Sequence, residues 1–414
     1  MAHHAETVII GGGQAGLATA YHLGQLGRES VVLEQAARPA NAWRNDRWDS
    51  FTLVTPNWGF RLPGAEYDGD APDGYMPRDE IVARFEQYAA RFRLPVRYET
   101  RVTAVDPRQT GQGYRVTTDE GEWEGDNVVV ATGLYQQPRI PALSDGLSSR
   151  FTQLAAGQYR NPEALPPGAV LVVGSGQSGC QIAEELYQSG RRVFLCVGRA
   201  GRAPRRYRGR DVFDWMQQLG AFNRTVDQLE SPQRKFDANP HATGARGGHT
   251  IDLHRFARDG VVLLGRLQAA GDGVIHLAAD LPDNLARADR LEIELTQRID
   301  QYIARTGVDA PPEVLPQLRD GYDAGIVRAL DLPAEGVTTI IWATGYRFDF
   351  SLIHLPVTDG DGFPITRRGV TDHPGLYFVG LPWLHTQGSG LLLGVGADAA
   401  HVAAAIAGRG DNAL

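Results

Sequence analysis

Gly11-x-Gly13-x-x-Gly16 follows the apolar run Val8-Ile9-Ile10, and Gly174-x-Gly176-x-x-Gly179 follows Leu171-Val172-Val173. The two stand 174 − 11 = 163 residues apart, and the same offset carries Gly27 onto Gly190 and Glu34 onto Val197. Three glycines at this spacing between a strand and a helix make a dinucleotide cradle. The first permits a tight turn, the second lets backbone approach a pyrophosphate, and the third lets helix and strand pack closely. The helix that starts there aims unpaired N–H groups and a positive dipole end at phosphate. About twenty residues later a carboxylate can accept hydrogen bonds from both ribose hydroxyls, and Glu34 fills that place in the first copy. The second copy has Val197-Gly198-Arg199 there, with Arg202, Arg205 and Arg206 close behind. A carboxylate would repel a ribose 2′-phosphate, whereas guanidinium groups match its oxygens in fork geometry. The first cradle therefore predicts FAD, and the second NADPH gripped by Arg199, Arg205 and Arg206.

Such cradles need strand–helix–strand units around them. The predicted fold class is α/β, with two Rossmann-like dinucleotide-binding domains, the NADPH domain inserted into a discontinuous FAD domain. Residues 1–162 and 339–414 are assigned to the FAD domain and 163–338 to the NADPH domain, of which 207–335 exceeds what a mononucleotide fold requires. The spacing of Ile81, Val82, Phe85, Tyr88 and Ala89 predicts a helix over 78–92, and a stripe from Leu285 to Ile303 predicts another. Strands are predicted over 96–105, 114–123 and 126–130, with a Gly-rich turn at 110–113 and a hairpin at Gly271-Asp272-Gly273 within 263–278. Residues 39–44 read as a loop returning to the first nucleotide, and 239–249 as a mobile loop able to roof a site. Two strands exit alike, through Ala131-Thr132-Gly133 and Ala343-Thr344-Gly345; small residues there let backbone pass beside a flat cofactor or another segment.

A net charge of −8 and a pI near 5.8 argue against nucleic acid or an anionic membrane as the main partner. The start enters a strand almost at once, which predicts no signal peptide and a cytoplasmic protein. The apolar stretch 391–408 carries Asp398 and His401 and suits a buried helix rather than a membrane span. The two cysteines, Cys180 and Cys196, form no CxxC pair, so the dithiol chemistry of thioredoxin reductase or lipoamide dehydrogenase is excluded and both read as small packing residues. No Cys/His set has metal-ligand spacing, and no metal is predicted.

The chain resembles the class B flavin monooxygenases, the flavin-containing monooxygenases with their plant YUCCA-like and bacterial relatives, over nearly its whole length. The resemblance rests on the two cradles with Glu34, a GGxW-like Asn41-Ala42-Trp43, Pro56-Asn57 ahead of Leu62-Pro63, and Pro77-Arg78-Asp79. It continues through Ala343-Thr344-Gly345-Tyr346 and 391–399. The family fingerprint FxGxxxHxxxY/W would end at Tyr159, but Ser149, Phe151 and Ala155 replace its Phe, Gly and His, while Tyr159-Arg160-Asn161-Pro162 matches. The resemblance implies that Gly11, Gly13, Gln14, Ala15, Gly16, Glu34, Gln35, Asn41, Trp43, Arg44, Val102, Ala131, Thr132 and Gly133 contact FAD. It likewise implies Gly174, Ser175, Gly176, Gln177, Ser178 and Gly179 for NADPH, with Ala343, Thr344, Gly345, Gly380, Gln387 and Leu391 completing the cofactor set. Asn57 resembles the family's active-site Asn, and Gln387-Gly388-Ser389 would present amides to the flavin ring at the start of the C-terminal helix. Trp58, Trp383 and His385 are candidate pocket walls.

The implied chemistry is hydride transfer from NADPH to FAD, reaction with O2 to a C4a-(hydro)peroxyflavin, and oxygenation of a small molecule at N, S or a carbonyl-adjacent carbon. Two alternatives stand beside it: an NADPH oxidase or reductase that yields peroxide, and a non-enzymatic redox-sensing flavoprotein. A homodimer is compatible with the two-domain plan.

Overall fold

A computed structural model describes residues 2–109, 111–237 and 239–411. Its helices are α1 (Gln14–Gln25), α2 (Asn41–Asn45), α3 (Arg78–Arg91), α4 (Gln177–Gln188), α5 (Val212–Gln218), α6 (Leu253–Arg258), α7 (Leu281–Thr306) and α8 (Val395–Asp411).

The strand His3–Ile10 lies at the centre of the first sheet, parallel to Ser30–Leu33 on one side and Gly121–Val130 on the other. Val96–Arg97 extends the first side; Tyr114–Thr118 and Val102–Pro107 extend the second, and Leu376–Phe378 pairs in parallel with the end of Gly121–Val130. The second sheet is wholly parallel, in the order Thr152–Ala155, Val337–Trp342, Ala169–Val173, Val193–Cys196, Val262–Leu264. Each sheet thus places the strand before a cradle between the strand after α1 or α4 and the strand leading to Ala-Thr-Gly. This is the repeat of 163 residues in three dimensions.

Alternate side chains on a strand face opposite ways, and the cores follow that period. Ile9, Val32 and Val129 pack with Ala15, Ala18, Ala399, Val402 and Ala403 of α1 and α8, while Val8, Ile10, Val128 and Val130 face Phe350, Phe363 and Phe378. In the second sheet Val170 and Val172 face α4, and Leu171 and Val173 face Ile275, Leu277 and Leu330. The Ala/Gly content of α8 fits its packing on α1, since small residues let helices approach. No helix among the described residues is long and apolar enough to cross a membrane.

The structure amends several expectations. Residues 96–105 are two strands, interrupted where Glu99 takes φ 56°. The stretches 114–123 and 126–130 are redivided: a turn at 119–120 ends one strand, and a single longer strand, Gly121–Val130, runs to the cradle. Of the Gly-rich turn at 110–113, Thr110 lies outside the described residues. Residues 41–45 form a helical turn, entered through Ala40 at φ 62°. The hairpin is confined to Leu267–Gly271 and Val274–Leu277, around Asp272 and Gly273 at φ 51° and 82°, whereas Val262–Leu264 joins the parallel sheet. The boundaries drawn at 162/163 and 338/339 cut the second sheet, because Thr152–Ala155 and the whole of Val337–Trp342 hydrogen-bond within it.

The third glycine of each cradle has no room for a side chain: a Cβ on Gly16 would stand 1.9 Å from the Gly11 carbonyl oxygen, and one on Gly179 1.9 Å from that of Gly174. Because the clash is with backbone, Gly179→Ala is expected to lower stability by about 2 kcal/mol or more, read as a shift of the urea midpoint.

Candidate functional site

At the first cradle the Gly12 amide donates to Glu34 Oε2 at 2.6 Å and the Ala36 amide to Oε1 at 2.8 Å. The carboxylate is thereby aimed along the mouth of the cradle and keeps lone pairs for further donors. A Cβ on Gly13 would meet no protein atom within 4 Å, so the side from which backbone could meet a phosphate is open. The first amides of α1 have no intrahelical acceptor, and Gly13 N-caps the helix without a side chain to claim them. Gln14 Nε2 donates to the Gly390 carbonyl at 2.9 Å, and a Cβ on Gly380 (φ 89°) would stand 2.4 Å from Ala15 Cβ. The C-terminal turn, Gly380 and the first cradle therefore come together, as does Ala131, whose carbonyl oxygen lies 2.7 Å from a Cβ built on Gly11. Thr132 Oγ1 accepts from Gln136 Nε2, and Gly133 holds φ 76°. Gln35 is exposed, Val102 begins an outer strand, Asn41 Oδ1 accepts from Asn45, and the Arg47 guanidinium lies 5.5 Å from the Trp43 ring centre. Arg44 pairs with Glu86 at 2.8 Å.

The C-terminal turn differs from expectation. Gln387–Gly390 is a separate 3-10 turn, capped by the Thr386 side chain onto the Gly388 amide, and α8 starts only at Val395. The Gln387 amide donates to the Arg224 carbonyl at 3.1 Å, and the Val226 amide to that of His385 at 2.9 Å. The insertion thus covers this turn, so the Gln387 amide is already used. Leu391 continues it, its amide on the Gly388 carbonyl. Trp383, at φ 61°, and His385 sit half-buried beside it. Trp58 lies elsewhere, under the Arg61 guanidinium.

Asn57 is buried, and its carboxamide is divided between two backbone groups: Nδ2 donates to the Ala71 carbonyl at 2.9 Å and Oδ1 accepts from the Met76 amide at 2.7 Å. The side chain ties segment 71–76 to 53–58 and keeps one N–H and one lone pair for a further partner.

The second cradle repeats the first. Gly174 would press a Cβ to 2.5 Å from the Ala343 carbonyl oxygen, and the space before Gly176 is open. Ser175 Oγ accepts from the Gly198 amide at 2.8 Å, Gly345 accepts from the Arg139 amide, and Thr344 Oγ1 donates to the Arg139 carbonyl. Ser178 sits half-buried in the first turn of α4. Arg199 is exposed at the strand exit. Arg206 is also exposed, its guanidinium on the carbonyls of Gly247 and Gly248. Arg205 is not available to a 2′-phosphate: it is 1 % exposed, pairs with Asp211 at 2.8 Å, donates to the Val54 carbonyl, and its Nη2 is sealed from solvent. Charge pattern alone could not separate it from Arg199.

Residues 241–249 do roof the second unit, but as a packed segment. Gln177 exchanges two hydrogen bonds with the backbone of Ala242, Gln181 donates to Thr243 Oγ1, and Glu184 pairs with His249 at 2.7 Å. His241 Nε2 lies on the Ser175 carbonyl oxygen, and Cys180 Sγ is 3.6 Å from it. Both are buried. Burial pushes the thiols of Cys180 and Cys196 upward, the latter to about 12, so neither is a thiolate. Burial pulls His241 down to about 4, against the Ser175 hydrogen bond, leaving it neutral. Sequence carried no signal for His241, which meets its partners across more than sixty residues.

The pyridine nucleotide-disulphide oxidoreductase family model matches residues 8–216, which contain both cradles. The chain belongs to this family. Its relatives and structural neighbours include oxidoreductases and flavin monooxygenases. It is 33 % identical to the uncharacterized oxidoreductase CzcO-like of Geobacillus kaustophilus over 97 % of this chain and 98 % of that protein. It is 30 % identical to the indole-3-pyruvate monooxygenase YUCCA1 of Oryza sativa subsp. japonica over 46 % and 47 % of the two chains, so that match spans about half of each. A flavin-containing monooxygenase from Stenotrophomonas maltophilia shares the fold with a TM-score of 0.68, at 20 % identity over 98 % of this chain and 99 % of that one. This family member is a flavin oxidoreductase that binds a flavin and a pyridine nucleotide.

Two outcomes are expected. Asn57→Ala strands the Met76 amide and Ala71 carbonyl, so it should cost about 2–4 kcal/mol of stability in chemical denaturation. In acid, the unfolded chain protonates His241 near its ordinary 6.5 while the folded chain refuses the proton until about 4. The unfolded state then binds more protons, so this contribution is lost as pH falls from 6.5 toward 4. His241→Gln should flatten that limb of the stability–pH curve.

Proposed function

We propose that the protein is an NADPH-dependent, FAD-containing monooxygenase that places one atom of O2 on the nitrogen, sulfur or carbonyl-adjacent carbon of a small molecule. The observation that carries this reading is the asymmetry of two otherwise matched cradles. Glu34 stands over one, while the other has no carboxylate and an exposed Arg199. The amides of 13–16, with Glu34 on the adenosine ribose, would hold FAD; the amides of 176–179 would hold the pyrophosphate of NADPH, and Arg199 its 2′-phosphate. Bound flavin supplies hydride acceptance and activation of O2. The chain orients both nucleotides and encloses the space between them.

Ala155 favours a second reading. Where the family fingerprint has His, this chain ends the strand Thr152–Ala155 with a methyl group beside Trp342, and the Ala155 amide is held by the Gln158 side chain. Without that imidazole the chain would offer one group fewer beside a bound flavin, and two-electron reduction of O2 to peroxide at the expense of NADPH would make the protein an NADPH oxidase.

The test is anaerobic reduction of the yellow protein by NADPH and NADH, followed by O2, with peroxide and oxygenated product counted against nucleotide consumed. Product formed in proportion to NADPH, with peroxide a minor fraction, is expected once a substrate is present. Peroxide equal to NADPH across a broad panel of amines, sulfides and ketones would establish the oxidase. Arg199→Ala should raise KM for NADPH about tenfold or more, equivalent to the loss of about 1.4 kcal/mol, and leave that for NADH unchanged.

A further inference from the structure

Three segments converge on one half-buried aromatic ring. Tyr75 belongs to segment 71–76, which lies along 53–58 through the bonds Leu53 N to Met76 O, Asn57 N to Gly74 O and Trp58 N to Pro72 O. From the second unit comes Arg205, whose guanidinium carbon lies 4.2 Å from the Tyr75 ring centre. Arg205 Nε donates to the Tyr75 hydroxyl at 3.0 Å and to Asp211 Oδ2 at 2.8 Å, and the Tyr75 hydroxyl donates to that same oxygen at 2.6 Å. Arg205 Nη1 reaches across to the Val54 carbonyl at 2.7 Å. The segment roofing the second cradle also packs against the ring. A Cβ on Gly244 would lie 2.7 Å from Tyr75 Cβ and 2.1 Å from the Leu53 carbonyl oxygen; one on Gly248 would lie 2.5 Å from the ring.

The chemistry of this contact is specific. Asp211 also caps α5, its Oδ1 accepting from the Phe213 amide at 2.9 Å, so the carboxylate cannot follow Arg205 elsewhere without uncapping a helix. Desolvation, with the hydroxyl already bonded to Asp211, pushes the Tyr75 phenol up to about 12, so it stays a neutral donor. A charged pair this deeply enclosed is weak evidence for stability, but displacing either partner leaves a buried charge unpaired, which disfavours other arrangements of the two units. Hydride transfer rewards that property, since a misplacement of 1 Å between reacting atoms costs about 100-fold in rate.

We infer that Tyr75, Arg205 and Asp211 form a positioning lock that fixes the second nucleotide unit against the first, setting the rate of hydride transfer between the two nucleotides without contacting either. This rests on the functional reading above. The lock accounts for Arg205 being withdrawn from the arginine group that follows the second cradle. It also assigns Asn57 a task, since Asn57 ties down the segment that carries Tyr75.

The test uses the FAD-loaded full chain and two variants, Tyr75→Phe, which keeps the ring and the ion pair but removes the bridging hydroxyl, and Arg205→Lys, which keeps the charge but loses the fork. The limiting rate of anaerobic flavin reduction at saturating NADPH is expected to fall at least tenfold in both, with FAD content, NADPH affinity and reduction by dithionite unchanged. In the cofactor-free protein, hydrogen exchange of amides in 71–76 and 241–250 should accelerate in Tyr75→Phe while that of 169–173 does not. An unchanged limiting rate in a folded variant, or a loss fully repaired by more NADPH, overturns the inference. Uniform acceleration of exchange throughout the second sheet does so too, because it marks general destabilisation. A wild-type flavin that neither NADPH nor NADH reduces overturns the functional reading itself, and is recognised before any variant is made.

Discussion

Everything in this molecule depends on keeping a helix N-terminus unpaired at the middle of a parallel sheet. Backbone amides are obligatory donors, and leaving several of them without partners is costly unless something anionic arrives. The chain meets that requirement twice by bringing the helix so close to the preceding strand that only glycine fits. Gly16 abuts the Gly11 carbonyl and Gly179 that of Gly174, while Ala131 and Ala343 close the turn from the neighbouring strand. A single methyl group on either third glycine would push the helix away and the amides out of convergence.

Around that constraint the two units diverge. Over the first cradle, Glu34 is held by two amides and faces a mouth completed by Gly380 and by the Gly390 carbonyl, 376 residues from the glutamine it receives. The second is roofed by 241–249, stitched to Ser175 in the cradle turn and along α4 from Gln177 to Glu184. The insertion serves both units. Its long helix α7 helps anchor the loop behind Arg199, for Arg202 is buried among Asp252, Asp289 and Glu292. Its segment 224–226 pairs with the C-terminal turn, and Lys235 reaches Asp359 at 3.0 Å. A region with no motif of its own thus holds the nucleotide units in one arrangement.

Buried polar groups show what residue type alone leaves open. Asn57, Arg205 and Gln387 all carry donors that suit a cofactor site, and in each case a backbone or side-chain partner inside the protein has claimed one or more of them. Arg199 differs from Arg205 only in where the loop leaves it. Six residues of chain separate a solvent-facing guanidinium from one enclosed against Tyr75.

The sequence by itself determined the two cradles, the carboxylate of one and its absence in the other, the helices α3 and α7, and the insertion of one unit into the other. These follow from local rules: glycine spacing, apolar periodicity and the side-chain chemistry at a strand exit act within a few residues of one another. Tertiary structure alone decided which sheet claims Thr152–Ala155 and Val337–Trp342, where α8 begins, and that 41–45 forms a helical turn. It also decided which arginine faces solvent and that His241 lies on the second cradle. The physical reason is common to these cases. Strand pairing, desolvation and the satisfaction of buried donors depend on partners sixty to several hundred residues distant, and no local pattern encodes which of them will arrive.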